Sequence, residues 1–182
     1  MNSKIKTKDM AFIALFAILI AVCSWITIPT TIPFTMQTFG VFLALRLLGG
    51  KKGTLSILVY LLMGLIGLPV FSGGRGGIGV LAGATGGYLS GLMLSGLVLW
   101  GLESILPDTP GSRFFSMVSG LLACYALGTG WFLLVYASGT GWAGLWSGLC
   151  LCVFPFLLPD LLKLLLADWF ARRLSRMIRK MR

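Results

Sequence analysis

The sequence predicts an all-α integral membrane protein, a bundle of six transmembrane helices. Of its 182 residues 57% are apolar and 11% are charged, whereas about a quarter of a soluble domain is charged. The apolar residues form runs that approach the roughly 20 residues needed to cross a bilayer. No polar stretch is long enough for a separate soluble domain. We therefore predict a single transmembrane domain over residues 1–182.

Gly, Pro and charged residues separate the apolar runs. The first run holds no charge and is too long for a signal peptide, so we expect it to be retained. The second and third runs are short for a bilayer of about 30 Å, which favours packing among neighbouring helices or beside a water-filled cavity. The predicted spans are residues 10–28, 34–48, 54–68, 80–102, 114–137 and 158–178.

The segment 142–154 is apolar, but it is too short to cross the hydrocarbon before Pro155 ends it. It is either an interfacial or re-entrant piece on the outer side, or the outer half of a kinked sixth helix. A seventh crossing would place the basic C-terminal tail outside, which the positive-inside rule disfavours.

Basic residues set the predicted orientation. The net charge of +10 comes from 15 Lys and Arg against 5 Asp and Glu. In a six-span topology all but two of the basic residues lie near the inner ends of the helices, and both termini are cytoplasmic. This distribution argues against a nucleic acid partner. The inner basic residues are Lys4, Lys6, Lys8, Arg46, Lys51, Lys52, Arg113, Arg172, Arg173, Arg176, Arg179, Lys180 and Arg182.

The two remaining basic residues, Arg75 and Lys163, fall on the outer side. Lys163 shares a helix face with Asp160, because the two are three residues apart. An ionisable group at membrane depth costs about 2.5 to 3.5 kcal/mol unless it is paired or hydrated. The pair is neutral and still offers an acceptor and donors to a polar solute. The structural alternative is that Asp160, after Pro159, only stabilises a helix N-terminus with Lys163 as its partner.

A glycine-rich tract surrounds Arg75 and continues into the fourth span. Glycines beside Arg75 allow positive φ and a close approach of the backbone to a solute, and successive N–H groups there can hold an anion. We expect the later glycines to let the fourth span pack closely against its neighbours. No phosphate-loop motif is present. The loop glycines are Gly73, Gly74 and Gly76, and the later ones are Gly79, Gly83, Gly86, Gly87 and Gly91.

Three further polar residues are weaker binding candidates. Gln37 lies at the outer start of the second span, where it either contacts a ligand or forms a hydrogen bond between helices. Thr35 and Tyr88 have the same two interpretations. The sequence contains no His, which excludes His-based catalysis and His-ligated metals, and no metal site is predicted.

The first span carries a smooth stripe of small side chains, Ala14, Ala17 and Ala21. Such a stripe is suited either to close packing inside the bundle or to docking of another membrane protein. The spacing fits both interpretations.

Several strings of the sequence carry a family resemblance. GLPVFSGGRGG at residues 67–77, GATGGY at 83–88, IPFTMQTFG at 32–40 and PDLLK at 159–163 closely resemble the biotin transporter BioY family. The resemblance covers nearly the whole chain in order and spacing. Members commonly have Pro where Ala84 stands here, and some have Asn in place of Arg75 and Arg in place of Leu89.

The resemblance implies a fold, a ligand and partners. Such proteins are the substrate-binding (S) components of energy-coupling factor (ECF) transporters in the bacterial cytoplasmic (inner) membrane, with six transmembrane helices. It implies that loops on the outer side close over biotin. It also implies that the alanine stripe docks on a transmembrane T component, which is coupled to two cytoplasmic ATPases. No catalytic residue and no cofactor are expected in this chain, since only the partner subunits use ATP.

The chemistry of biotin matches the candidate residues. Its ureido N–H groups suit Asp160, its ureido carbonyl suits Lys163, and its carboxylate suits Arg75, Gln37 or loop N–H groups. Two alternatives remain. One is an S component for another small water-soluble vitamin. The other is a small membrane acyltransferase, which the lack of His and of a recognisable nucleophile–base pair disfavours.

Overall fold

A computed structural model of the chain describes residues 6–28, 34–136, 150 and 153–180. Within these residues the chain forms a bundle of helices with one short antiparallel hairpin. The helices are α1 (Thr7–Trp25), α2 (Gln37–Leu48), α3 (Gly50–Leu65), α4 (Ile78–Ala82), α5 (Gly86–Ile105), α6 (Pro110–Tyr136) and α7 (Phe154–Lys180). The hairpin pairs β1 (Thr27–Ile28) with β2 (Phe34–Thr35).

Three of the described helices, α1, α5 and α6, are long and apolar enough to cross a membrane. Helices α2 and α3 are shorter, with 12 and 16 residues, as the short second and third apolar runs predicted. Large apolar side chains are exposed along most of the helices, which is typical of a surface in contact with lipid. An α-helical membrane protein is therefore the correct fold class.

The predicted fourth span is wrong as one continuous helix. Residues 80–102 are divided between α4 and α5, because the backbone at Gly83 is extended, with φ −77° and ψ −176°. The helix restarts at Gly86, after Thr85. Short α4 therefore packs against α5 as a separate element.

Helix α7 begins at Phe154 and continues through Pro159, so it starts four residues before the predicted sixth span at 158. Most of the segment 142–154 lies outside the described residues. The re-entrant and kinked-helix interpretations of that segment therefore both stay open.

One face of α7 is buried and repeats with the period of a helix. Leucines on the opposite face, such as Leu158 and Leu162, are exposed. Ionisable residues in membrane helices face the bundle interior, and between residues 154 and 175 this face carries the three that are buried. The buried residues are Asp160, Lys163, Leu164, Ala167, Asp168 and Ala171.

The bundle has two distinct ends. At one end, called the loop end, lie the hairpin, residues 66–77 and α4. There the Trp25 indole N–H donates to the Pro69 carbonyl at 2.8 Å, and the buried Ser24 hydroxyl donates to the Val70 carbonyl. These hydrogen bonds attach the loop after α3 to the end of α1.

The opposite end, called the basic end, is held by ion pairs between helices. Lys52 at the start of α3 pairs with Asp9 of α1 at 2.6 Å. Arg46 at the end of α2 pairs with the buried Asp168 of α7 at 2.8 Å. Arg46 and Lys52, which the sequence placed on one side of the membrane, therefore lie at one end of the bundle, opposite the loop end.

Glycines allow α5 and α6 to approach each other closely, as predicted for Gly87 and Gly91. A Cβ at Gly87 would overlap the Trp131 side chain, and a Cβ at Gly91 would lie 2.9 Å from the Cys124 carbonyl oxygen. The same expectation is wrong for Gly79, where an added Cβ would meet no atom within 4 Å.

The alanine stripe of α1 does not form one exposed docking face. Ala17 and Ala21 are 0% and 4% exposed and belong to the hydrophobic core, whereas Ala14 is exposed. A partner cannot touch Ala17 or Ala21 while the bundle is intact. The docking prediction is therefore wrong for these two residues, which serve packing inside the chain.

We expect the substitution Gly91→Leu to destabilise the protein, because the new side chain must displace α6. Overpacking of this kind costs about 1–3 kcal/mol. Gly101→Leu in the same helix is the matched control, since an added Cβ there meets nothing within 4 Å. Thermal unfolding in detergent measures both. Equal melting temperatures for the two variants would contradict the close α5–α6 contact.

Ala17→Trp is expected to lower the melting temperature strongly or to abolish folding, because no space exists for an indole at a fully buried position. Ala14→Trp places the same side chain one turn earlier on an exposed surface and should leave the melting temperature nearly unchanged. The yield of monodisperse protein and the melting temperature test the pair. A stable Ala17→Trp variant would show that this face of α1 is open to partners.

Candidate ligand-binding site

A cavity opens at the loop end of the bundle, between β2, α2, the loop after α3 and helices α4 to α7. Its walls are largely apolar, and a few polar side chains converge on it, as is usual for small-molecule sites. The apolar lining includes Phe71, Val80, Leu89, Leu92, Leu121 and Phe156. The polar lining includes Thr35, Gln37, Ser72, Arg75, Thr85, Tyr88, Tyr125, Asp160 and Lys163.

The Asp160–Lys163 pair forms the polar floor of the cavity. Lys163 Nζ lies 2.7 Å from Asp160 Oδ1, and both side chains are almost fully buried, with exposures of 5% and 6%. Both residues lie within the first turns of α7, so the predicted sharing of one helix face is correct. Burial of two charges is costly even when they are paired, and this pair therefore adds little stability to the fold.

Lys163 also reaches the hairpin. Its ammonium donates to the carbonyl oxygen of Thr35 at 2.6 Å, and Nζ lies 3.8 Å from the centroid of the Phe34 ring. Phe34 in turn stacks on Phe156 with centroids 6.0 Å apart. Strand β2 is thus connected to α7 through the same side chain that pairs with Asp160.

Tyr125 of α6 completes the environment of Asp160. Its hydroxyl donates to Asp160 Oδ2 at 2.6 Å, and both residues are buried. The sequence analysis missed this residue. A buried Tyr needs a hydrogen-bond partner, but Tyr125 lies in an apolar run far from Asp160 along the chain, and no sequence pattern identifies the partner.

Arg75 lies at the mouth of the cavity. A tight turn presents it: Phe71 N donates to the Arg75 carbonyl at 2.9 Å, and Gly73 and Gly74 have positive φ values of 74° and 67°. The side chain is exposed, and its Nε donates to the Ser72 carbonyl at 3.1 Å. The structure thus brings Arg75 to the same cavity as Asp160 and Lys163.

The loop glycines shape the turn, but they are not among the residues that line the cavity. Gly73 and Gly74 supply the left-handed backbone conformations that favour glycine. A Cβ at Gly76 would overlap the Leu68 carbonyl. Their predicted contact with a ligand stays a prediction, whereas their role in placing Arg75 follows from the geometry.

The weaker candidates all lie in the cavity wall. Gln37 donates from Nε2 to the Tyr60 hydroxyl at 3.0 Å, so it lines the cavity and also joins two helices. The Tyr88 and Thr129 hydroxyls are 3.0 Å apart. The backbone carbonyl of Thr35 accepts a hydrogen bond from Lys163.

The charges of the lining favour an anionic ligand. Asp160 and Lys163 neutralise each other inside the protein, and Arg75 leaves one positive charge at the mouth. An elongated ligand with a neutral hydrogen-bonding end and a carboxylate end matches this arrangement, with apolar walls between the two. Among the described residues, no group of His, Cys, Asp and Glu is arranged to hold a metal ion.

Fold and cavity together define a membrane-embedded binding protein for a small, partly polar molecule. The model of the BioY family matches residues 1–180. The chain belongs to the BioY family.

Named relatives agree with this assignment. The biotin transporter BioY of Thermotoga maritima is 40% identical over 164 residues, which cover 90% of this chain and 93% of the relative. The biotin transporter BioY2 of Lactococcus lactis is 37% identical over 174 residues, with 94% and 92% covered. The probable biotin transporter BioY of Pyrococcus horikoshii is 34% identical, with 93% and 98% covered.

A solved structure has the same fold. The 2.1 Å crystal structure of the S-component for biotin from an ECF-type ABC transporter superimposes with a TM-score of 0.77. The match covers 97% of this chain and 95% of that chain, at 27% sequence identity.

Proposed function

We propose that this protein captures biotin in its loop-end cavity and takes part in biotin uptake as the S component of an ECF-type transporter. One observation supports it most: in a BioY-family chain, a buried Asp160–Lys163 pair and Arg75 meet in one cavity. The named relatives are transporters. The protein is therefore a transport protein and not an enzyme, and the acyltransferase alternative is set aside.

The depth of each polar group favours one orientation of biotin. Asp160 and Lys163 are buried and Arg75 is exposed, so the ureido ring lies at the floor and the carboxylate at the mouth. Asp160 accepts a ureido N–H, and Lys163 donates to the ureido carbonyl. Arg75 pairs with the carboxylate. The apolar walls hold the thioether ring and the alkyl chain.

We further propose six membrane crossings, with both termini and the basic end in the cytoplasm of a bacterial cell. The separation of the loop end from the basic end supports this orientation, because Lys and Arg are retained on the cytoplasmic side. Helices α1, α5 and α6 have the length of a span. Helices α2, α3 and α7 provide the other three crossings, and the cavity then opens outward.

Transport requires partners in this proposal. A transmembrane T component and two cytoplasmic ATPases supply the energy, and this chain needs no cofactor of its own. The face of α1 that carries the exposed Ala14, together with Leu15 and Ile18, is available to the T component. Ala17 and Ala21 stay inside the bundle.

Purified protein is expected to bind biotin saturably in isothermal titration, and Asp160→Asn or Lys163→Ala should each weaken binding by tenfold or more. Each substitution removes a charged hydrogen-bonding group proposed to contact the ligand, and loss of one hydrogen bond to a charged group costs about 1.5–3 kcal/mol. Asp9→Asn is the control, since it breaks an ion pair at the basic end and should bind biotin as the wild type does. No saturable binding by the wild type would refute biotin as the ligand. Wild-type affinity in both site variants would make the pair purely structural.

The orientation of biotin is tested with an uncharged analogue. Wild-type protein should prefer biotin to biotin methyl ester, because only the free acid carries the carboxylate that pairs with Arg75. Arg75→Gln should remove most of this preference while leaving binding of the ester nearly unchanged. Arg173→Gln, at an exposed position of α7, is the matched control. A retained preference in Arg75→Gln would place the carboxylate elsewhere.

A further inference from the structure

Tyr125 holds the carboxylate of Asp160 from a second helix. It lies on α6, lines the cavity and is 7% exposed. Its hydroxyl is 2.6 Å from Asp160 Oδ2, which is the short distance typical of an O–H donor to a charged acceptor. Lys163 occupies the other oxygen, Oδ1. The two carboxylate oxygens therefore have different partners from different helices.

We propose that Tyr125 is a positioning residue for ligand recognition, which fixes the plane of the Asp160 carboxylate so that its free lone pairs point into the cavity. The inference rests on the proposed function, in which Asp160 accepts hydrogen bonds from the N–H groups of biotin. Tyr125 is not required to touch biotin itself.

The number of acceptor positions on Asp160 supports this role. An ionised carboxylate has about four lone-pair positions. Lys163 and Tyr125 take one on each oxygen, and one on each oxygen remains for a ligand. Because each oxygen already has a donor, rotation of the carboxylate would break both hydrogen bonds. The remaining acceptors therefore have fixed directions before a ligand arrives, and such preorganisation lowers the cost of binding.

Lys163 cannot supply this constraint alone. It lies one helical turn from Asp160 on the same helix, and it holds only one of the two carboxylate oxygens, Oδ1. The Tyr125 side chain has only two torsions, and its ring is packed in the hydrophobic core. Helix α7 packs mainly on α2 and much less on α6, so the hydroxyl is a specific connection between α6 and the binding residues of α7.

The test removes the hydroxyl and keeps the ring. Tyr125→Phe should weaken biotin binding by about three- to tenfold, because the freed Asp160 carboxylate must then be ordered when the ligand binds. Ser95→Ala is the control: it deletes a buried hydroxyl that donates to the Gly120 carbonyl at 2.7 Å between α5 and α6, and Ser95 itself is not among the residues that line the cavity. It should bind biotin like the wild type, and thermal unfolding shows whether both variants are folded.

A double-mutant cycle separates positioning from direct contact. If Tyr125 acts through Asp160, Tyr125→Phe should change the affinity less than about twofold in an Asp160→Asn background, because coupled sites are not additive. Asp160→Glu provides a second background if Asp160→Asn does not bind measurably, since its longer side chain changes the position of the carboxylate relative to the hydroxyl. Equal losses in both backgrounds, or no loss in the single variant, would overturn the inference. Failure of the wild type to bind biotin would instead refute the proposed function.

Discussion

Two opposite charges, Asp160 and Lys163, lie 2.7 Å apart inside a bundle built largely from apolar side chains. Neither charge is tolerable there without its partner, and this constraint determines the surrounding structure. It orients the buried face of α7, brings the Thr35 carbonyl to the ammonium and places the Tyr125 hydroxyl against the carboxylate. Since a buried pair adds little stability, folding alone does not explain its presence at the cavity floor.

The sequence was sufficient to predict the parts of the site that depend on local spacing. Asp160 and Lys163 are three residues apart after a proline, which places them on one helix face. The distribution of basic residues put Arg75 on the same side of the membrane. Tyr125 could not be predicted, because its role depends on a contact between α6 and α7 that no local pattern encodes.

Small residues gave weaker predictions, since their spacing places them on one helix face but does not show whether that face packs inside the bundle or is exposed. Ala17 and Ala21 are buried in this chain, although the same stripe suits a partner equally well. Gly91 packs on α6 as expected, whereas Gly79 faces open space. The break between α4 and α5 was missed for a similar reason: the residues around Gly83 are apolar or small, and they continue the apolar run of the predicted span.

The described part of the hairpin at the mouth has two residues in each strand, and a hairpin of that size is not stable by itself in water. Contacts from elsewhere hold it: Lys163 on the Thr35 carbonyl, Phe156 on Phe34, and the Ser72 hydroxyl on Thr27 at 3.0 Å. The hairpin is therefore held in place by residues that line the cavity. Amide hydrogen exchange at β2 should consequently report cooperative local opening of the mouth, separately from global unfolding of the bundle.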